Sequence, residues 1–361
     1  MAAAGDIVGV SLFLTFGVAA GSLLQASLAP AVTLGLCAGL PPTLIALACL
    51  LRRRRRQRTV AALLILLGVW LFLTGSRSEA LSPGPGWVAS LSLRCRDALS
   101  GVADRIPFDR PDSAPLLKAL TLGDRSGLSR ETIAVFRGSG ASHLLALSGL
   151  HLGILYALLS FLTRAAGGSP AARRIRWVLL TLLSGAYVLL TGASPSLVRA
   201  FLFIFLAETA RLNRRRRTGL LPSLCGALTL QLALQPTVIT SAGFQLSYLA
   251  MTGIVLLYPP LRRLYPDGPG WSPFRYIWNA ASLSIACQAT TAPLVWWRFR
   301  SFPRYFLLTN LLALPLTTLV MVSSAATLLC AGAGWLPPLL INTTDRLIGG
   351  LVWILTVISS M

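Results

Sequence analysis

Lysine is almost missing from this chain: Lys118 is the only one, so its 32 basic residues are otherwise arginine, set against 11 acidic residues. Only 12% of the 361 residues are charged and 55% are hydrophobic, where an average soluble domain carries roughly 25% charged residues. A soluble fold of this length could not bury that much apolar surface. Histidine is scarce too, His143 and His151 being the pair present, which excludes a His-rich two-metal hydrolytic centre. Cys37, Cys49, Cys95, Cys225, Cys287 and Cys330 are scattered with no Cys-x-x-Cys spacing. All but Cys95 sit in apolar runs and read as small core residues, not as a disulfide or metal framework. No Gly-x-x-x-x-Gly-Lys-Ser/Thr segment occurs, so energy from nucleotide hydrolysis would have to come from a partner. The first apolar run has no basic segment before it and reads as an anchor, not a cleavable signal.

Long apolar runs are what the chain has in abundance. They cover 7–28, 32–51, 60–74, 144–163, 177–191, 197–210, 220–234, 244–257, 277–297, 306–329 and 347–358. Backbone groups in lipid must pair internally, so a spanning segment is a helix or a barrel strand. These runs are continuous instead of alternating, which predicts helices. The expectation is an all-α, polytopic integral membrane protein with about ten transmembrane helices, judged against the roughly 20 residues that a bilayer requires.

The formal charge of +21 is concentrated in arginine clusters at 52–58, 164–176, 211–217 and 262–263, each at the end of an apolar run. That is the signature of cytoplasmic loops, where positive charge sets the topology and meets anionic lipid. Threading the runs on this rule starts the N-terminus in the cytoplasm and puts 75–140 outside it. The chain then divides into N-terminal transmembrane helices (1–74), an extracytoplasmic loop (75–140) and a transmembrane domain (141–361). The loop holds 9 basic and 7 acidic residues, and its apolar positions from Trp87 to Ile106 predict an amphipathic helix on the membrane surface. Arg298, Arg300 and Arg304 break the pattern, because they follow a run that should end outside.

Five blocks of sequence resemble successive motifs of the ComEC competence family. LTLGDRS at 120–126 and FRGSGASHLLALSGLHLG at 136–153 are similar to its opening signature. LTGASPSLVRA at 190–200, GFQLSYLA at 243–250 and TNLLALPL at 309–316 follow in the family's order. The resemblance implies a bacterial inner-membrane channel that draws single-stranded DNA into the cytoplasm during natural transformation. It also implies a DNA receptor outside and a helicase-like translocase inside. Full-length relatives carry an OB-like domain and a metallo-β-lactamase-like nuclease domain. Neither has room here, so the chain is expected to be the channel part alone, not an enzyme, without cofactor or metal, and with strand degradation left to a separate nuclease. Two other readings stand beside it. A small-molecule or lipid-precursor transporter would show inverted repeats and intramembrane carboxylates, whereas Glu208 and Asp345 are nearly the only acids in the runs. A truncated, scaffold-like relative would tolerate loss of Arg199 or His151. Oligomeric state is not legible.

The candidates for a DNA path are the polar groups in or beside the apolar runs. His143 and His151 are eight residues apart, about 12 Å on one helix, too far to share a metal; each either caps a helix or faces a pore. Ser148 and Gly149 suggest local unwinding or close helix approach. Ser194 and Ser196 flank a turn, with Arg199 one helical turn into the next run, either snorkelling to the interface or meeting phosphate. Glu208 is too far from Arg199 to pair with it along the helix, and Arg211 is its nearest partner. Gln245, Ser247, Gln288 and Asn310 either join helices or line a wet passage. Arg298, Arg300 and Arg304 interleave with Trp296, Trp297, Phe299, Phe302, Tyr305 and Phe306. That mixture suits either an interfacial aromatic belt or single-stranded nucleic acid, with guanidinium groups on phosphates and rings on bases.

Overall fold

Helix-forming residues uninterrupted by strand-like alternation produce helices throughout the described parts of the chain. The computed structural model describes residues 2–27, 64–69, 71–74, 86–163, 167, 169–212, 220–265, 272–300, 302 and 304–361, and no strand occurs among them. The helices are α1 (Ala2–Ser27), α2 (Gly86–Asp104), α3 (Ser113–Leu122), α4 (Arg130–Gly138), α5 (Ser142–Leu145), α6 (Gly149–Leu162) and α7 (Pro170–Leu190). They continue with α8 (Pro195–Leu212), α9 (Leu220–Leu234), α10 (Ala242–Leu256), α11 (Tyr258–Arg263), α12 (Pro273–Phe299), α13 (Phe306–Gly332) and α14 (Pro338–Ser359). The expected run at 32–51, the arginines at 52–58 and 214–217, and Arg164 lie outside the described residues.

Among the described residues, four helices are long and apolar enough to cross a membrane: Ile7–Ala26, Ala242–Arg263, Phe306–Gly332 and Pro338–Ser359. Leu64–Thr74, Gly149–Leu162 and Leu220–Leu234 are apolar but shorter. Two of the expected runs are redrawn. The run at 144–163 is not one helix: α5 ends at Leu145, Ala146 is extended (φ −80°, ψ 127°), Ser148 is extended as well, and α6 starts only at Gly149. The run at 347–358 starts nine residues earlier, at Pro338, so Asp345 lies inside the helix and not at its start. Local chemistry marks many ends. Ser129 accepts a hydrogen bond from the Thr132 N–H at the start of α4, and Ser169 followed by Pro170 starts α7, both ordinary N-terminal devices.

The chain forms two compact units, 1–86 with 202–248, and 87–201 with 249–361. In the first, α1 packs on α9. Its glycines permit near backbone contact with the helix Leu64–Thr74: a Cβ on Gly17 would lie 2.1 Å from the Ile65 carbonyl oxygen, and one on Gly68 2.5 Å from that of Leu14. Small residues allow such approach where lipid offers no hydrophobic drive. Buried Tyr248 donates to Gln231 at 3.0 Å in the same unit.

In the second unit, the antiparallel pair α13 and α14 is the scaffold. The amphipathic helix expected from Trp87 is α2, but the stretch after it is no open loop. α3 and α4 pack on α13 and α14, and Leu116, Leu117, Leu120 and Phe136 join Ala313, Val320, Leu351 and Leu355 in one buried cluster. Thr327 and Thr344 share a hydrogen bond at 2.9 Å between α13 and α14.

Candidate functional site

Three motifs separated by tens of residues meet in the second unit. The first is the end of α3, where Gly123 takes a left-handed conformation (φ 76°) that closes the helix, a geometry glycine adopts without steric cost. Asp124 follows and accepts from the Ser126 hydroxyl at 2.7 Å and the Ser126 N–H at 3.0 Å. These bonds, aided by the charges of Arg96 and Lys118, hold its carboxyl below the ordinary value of 3.8. A Cβ on Gly123 would lie 2.3 Å from Leu147 Cδ1, so this turn sits directly against the second motif.

The second motif is the broken helix. Ser148 caps α6: its hydroxyl accepts from the Leu150 N–H at 3.2 Å, while the buried His151 ring accepts from the Ser148 N–H at Nδ1, also at 3.2 Å. This is a reciprocal capping box with histidine in the place of the usual glutamate. His143 is exposed, with Nδ1 3.1 Å from the Gly140 carbonyl oxygen. The break also defeats the expected separation of about 12 Å along one helix, because the two histidines lie on different helices, α5 and α6.

The third motif is the turn between α7 and α8. Gly192 (φ 79°) and Ala193 (φ 50°) are both left-handed, and the Ser194 carbonyl accepts from the Leu197 and Val198 N–H groups at 3.0 Å each. Ser194 Oγ is enclosed without a hydrogen-bond partner among the described residues. Arg199 is only 2% exposed, so it does not snorkel. Its Nη2 donates to the Ser196 hydroxyl at 2.9 Å and to the Ser196 carbonyl at 3.2 Å. A guanidinium stays protonated in proteins, so Arg199 plants a positive charge inside the helical packing.

Close contacts tie the motifs together. A Cβ on Gly149 would stand 3.2 Å from Ala200 Cβ, so the N-terminus of α6 rests on the residue next to Arg199. Tyr187 donates to the Thr121 carbonyl at 3.0 Å, and Ser92 on α2 donates to the Leu189 and Leu190 carbonyls at 2.6 and 3.2 Å. The Thr309 hydroxyl donates to the Ser139 carbonyl at 2.6 Å, which sets the first turn of α13, and Asn310 with it, beside the stretch leading to His143. Sequence spacing carried no sign of the Tyr187, Ser92 or Thr309 contacts.

The remaining candidates are distributed elsewhere. Gln245 donates to the Ile239 carbonyl at 2.8 Å and closes the short 3-10 turn Pro236–Thr240 in the first unit; Ser247, half-buried, is in that unit too. Gln288 Nε2 on α12 and Asn310 Oδ1 on α13 are enclosed without a hydrogen-bond partner among the described residues. At the connection from α12 to α13, Arg298, Arg300 and Arg304 are all exposed. Arg298 lies 5.7 Å over the Trp297 ring, and Arg300 ends α12 in a left-handed conformation (φ 50°). Trp296, Trp297, Phe299 and Phe302 are exposed beside them. Glu208 pairs with Arg211 at 2.6 Å, the partner its spacing indicates. No group of three or more metal-ligating side chains occurs among the described residues.

The described chain is thus helical, has four helices long and apolar enough to cross a membrane, and gathers polar motifs at a helix break. The competence protein family matches residues 120–361, and the chain belongs to that family. It is similar to ComE operon protein 3 of Bacillus subtilis, 30% identical over 217 residues, which is 60% of this chain and 26% of that protein. It is also similar to competence protein ComA of Neisseria gonorrhoeae, 31% identical over 269 residues, covering 69% of this chain and 36% of ComA. A further relative is the uncharacterized protein YcaI of Escherichia coli, 26% identical over 215 residues. The chain spans between 26% and 36% of the length of these three relatives. No solved structure matches it.

Proposed function

We propose that this chain is the membrane-embedded part of a channel that passes single-stranded DNA across a bacterial inner membrane during natural transformation. In this reading it has about ten transmembrane helices, a cytoplasmic N-terminus, and residues 75–140 entering from the outer side. The observation that carries it is the buried Arg199 guanidinium, held by Ser196 at the place where the broken helix before α6 meets the turn before α8. An intramembrane charge is costly and is kept where it has a task. A fixed guanidinium recognises a phosphodiester without reading the base, which suits a strand of any sequence. The N-terminus of α6, the positive end of its helix dipole, packs on the neighbouring residue Ala200.

The enclosed amides of Gln288 and Asn310 support a hydrated route, since buried polar atoms without protein partners are usually met by water. The exposed rings and arginines between α12 and α13 suit stacking of unpaired bases and contact with phosphates. The channel works passively, with a DNA receptor, a helicase-like translocase and a nuclease supplied by other chains. Membrane lipid surrounds it.

The experiment is import of labelled DNA into the cytoplasm of cells carrying the intact chain, Arg199→Gln, or the triple change Arg298→Gln, Arg300→Gln and Arg304→Gln, with protein abundance measured in each. Loss of one charge-assisted contact of about 1.5–3 kcal/mol predicts an Arg199→Gln import rate roughly 10- to 100-fold lower. The triple change lowers import at normal abundance if the segment lines the path. Unchanged import with it returns those arginines to the membrane interface; equal uptake in a deletion strain and its parent refutes the channel.

A further inference from the structure

The stretch between α2 and α5 accompanies a candidate membrane helix through half of its length. α14 has 22 residues, so it rises about 33 Å; Asp345 is about 10 Å and Gly349 about 16 Å from its start, the latter at mid-length. Both are occupied from the α2–α3 side. The Ser113 hydroxyl donates to one Asp345 carboxylate oxygen, and Arg110 Nε stands 3.8 Å from the other. A Cβ on Gly349 would fall 0.9 Å from Arg110 Nη1, so the guanidinium occupies the notch that this glycine leaves. At the far end, a Cβ on Gly138 would be 3.2 Å from Ser359 Cβ. α3 and α4 therefore lie along α14 from its middle to its end, their apolar faces in the common buried cluster.

The other face of this pair is charged. Arg130, Glu131 and Arg137 on α4, and Arg125 in the turn before it, are exposed; Asp124 in the same turn is engaged by Ser126. Ionic side chains at membrane depth face water-filled cavities, because hydrocarbon around them costs several kcal/mol. Non-helical backbone such as 123–129 is tolerated at that depth only against protein or water.

We infer that α3 and α4 form a re-entrant hairpin and that its charged face borders a water-filled vestibule sunk beside α14, with Arg125, Arg130 and Arg137 as a wall that attracts the phosphates of a polyanionic strand. Three guanidinium groups face two carboxylates there, so the wall is net positive. The inference rests on α13 and α14 crossing the membrane, and the role of the wall rests on the proposed channel.

Thiol labelling separates the two. Ala134→Cys, at an exposed position on α4, and Trp353→Cys, at an exposed position in α14's last turns, are each placed in a chain carrying Cys95→Ser. A membrane-impermeant maleimide is applied to both sides of opened membrane vesicles, against the Cys95→Ser chain as background. Maleimide needs a thiolate, which forms in water and is suppressed in hydrocarbon. The expected result is labelling at 134 about tenfold or more faster than at 353. Equal labelling at both places the pair in the headgroup region, and no labelling at 134 places it in lipid or protein; either overturns the vestibule. With labelling as expected, Arg130→Gln with Arg137→Gln should lower DNA import several-fold at unchanged abundance and unchanged 134 labelling. Unchanged import overturns the wall's role while leaving the channel to the Arg199 result.

Discussion

Asp345 is the point at which α3 is fastened to α14, and its replacement has a cost that can be worked out group by group. The carboxylate is almost fully buried, as is the Ser113 hydroxyl that donates to it. A hydrogen bond to a charged group contributes about 1.5–3 kcal/mol. Arg110, 3.8 Å away and half-exposed at 51%, adds no more than about 1 kcal/mol because water screens it. Asp345→Ala should therefore destabilise the second unit by about 2–4 kcal/mol. Asp345→Asn keeps an acceptor oxygen of the same size for Ser113 and should lose about half of that. Ser113→Ala combined with Asp345→Ala should cost little more than Asp345→Ala alone, because both remove one interaction. The assay is reversible unfolding of the purified chain in mixed detergent and SDS micelles. Equal destabilisation by Asn and Ala, or full additivity in the double variant, would show that the Ser113 bond does not hold these helices together.

Gly253→Ala would put a Cβ 2.3 Å from the Ala286 carbonyl oxygen and 2.6 Å from Thr290 Oγ1. α10 and α12 would have to separate locally by about 1 Å, and the same unfolding assay should read a loss of about 1–3 kcal/mol, whereas Gly332→Ala, with nothing within 4 Å, should leave the midpoint in place. Ser148→Ala removes the cap of α6 and the hydroxyl beside His151, for an expected cost of about 1 kcal/mol; Ser148→Thr should recover most of it. Asp124 has its carboxyl pKa lowered in the folded chain, so its stabilising contribution is present above the ordinary carboxylate value and is lost as pH falls through the lower folded value. The stability gap between Asp124→Ala and the parent should accordingly be constant from neutral pH down to about 4 and close only below that. A gap that closes at higher pH would contradict the Ser126 bonds.

Several elements were legible from local chemistry. The helix Leu220–Leu234 begins and ends where its apolar run does, and α13 begins at Phe306, straight after the charged elbow. Ser148 and Gly149 suggested local unwinding or close helix approach, and in the structure Ser148 caps α6 while Gly149 lacks the Cβ that would keep α6 away from Ala200. Glu208 found Arg211 because helical spacing alone brings them together.

Other features escaped. The last span was expected at 347–358 with Asp345 at its start, yet α14 begins at Pro338 and runs through Asn342 to Arg346, where Thr344 has a hydroxyl partner on α13 and Asp345 has Ser113 and Arg110. α3 and α4 looked like parts of an exposed loop, since the helices that bury them lie about two hundred residues further along the chain. The histidines were measured along a helix that does not continue between them.

By itself the sequence determined that this chain is helical and largely apolar, and its ordered motifs marked it as a competence protein, because hydropathy, capping and motif spacing are carried by neighbouring residues. Which polar groups meet was decided only by the tertiary structure. The α6 break resting on Ala200 next to Arg199, and Asp345 with Ser113 and Arg110, depend on helices packing at particular depths and rotations, and a buried charge is tolerable only where that packing delivers its partners.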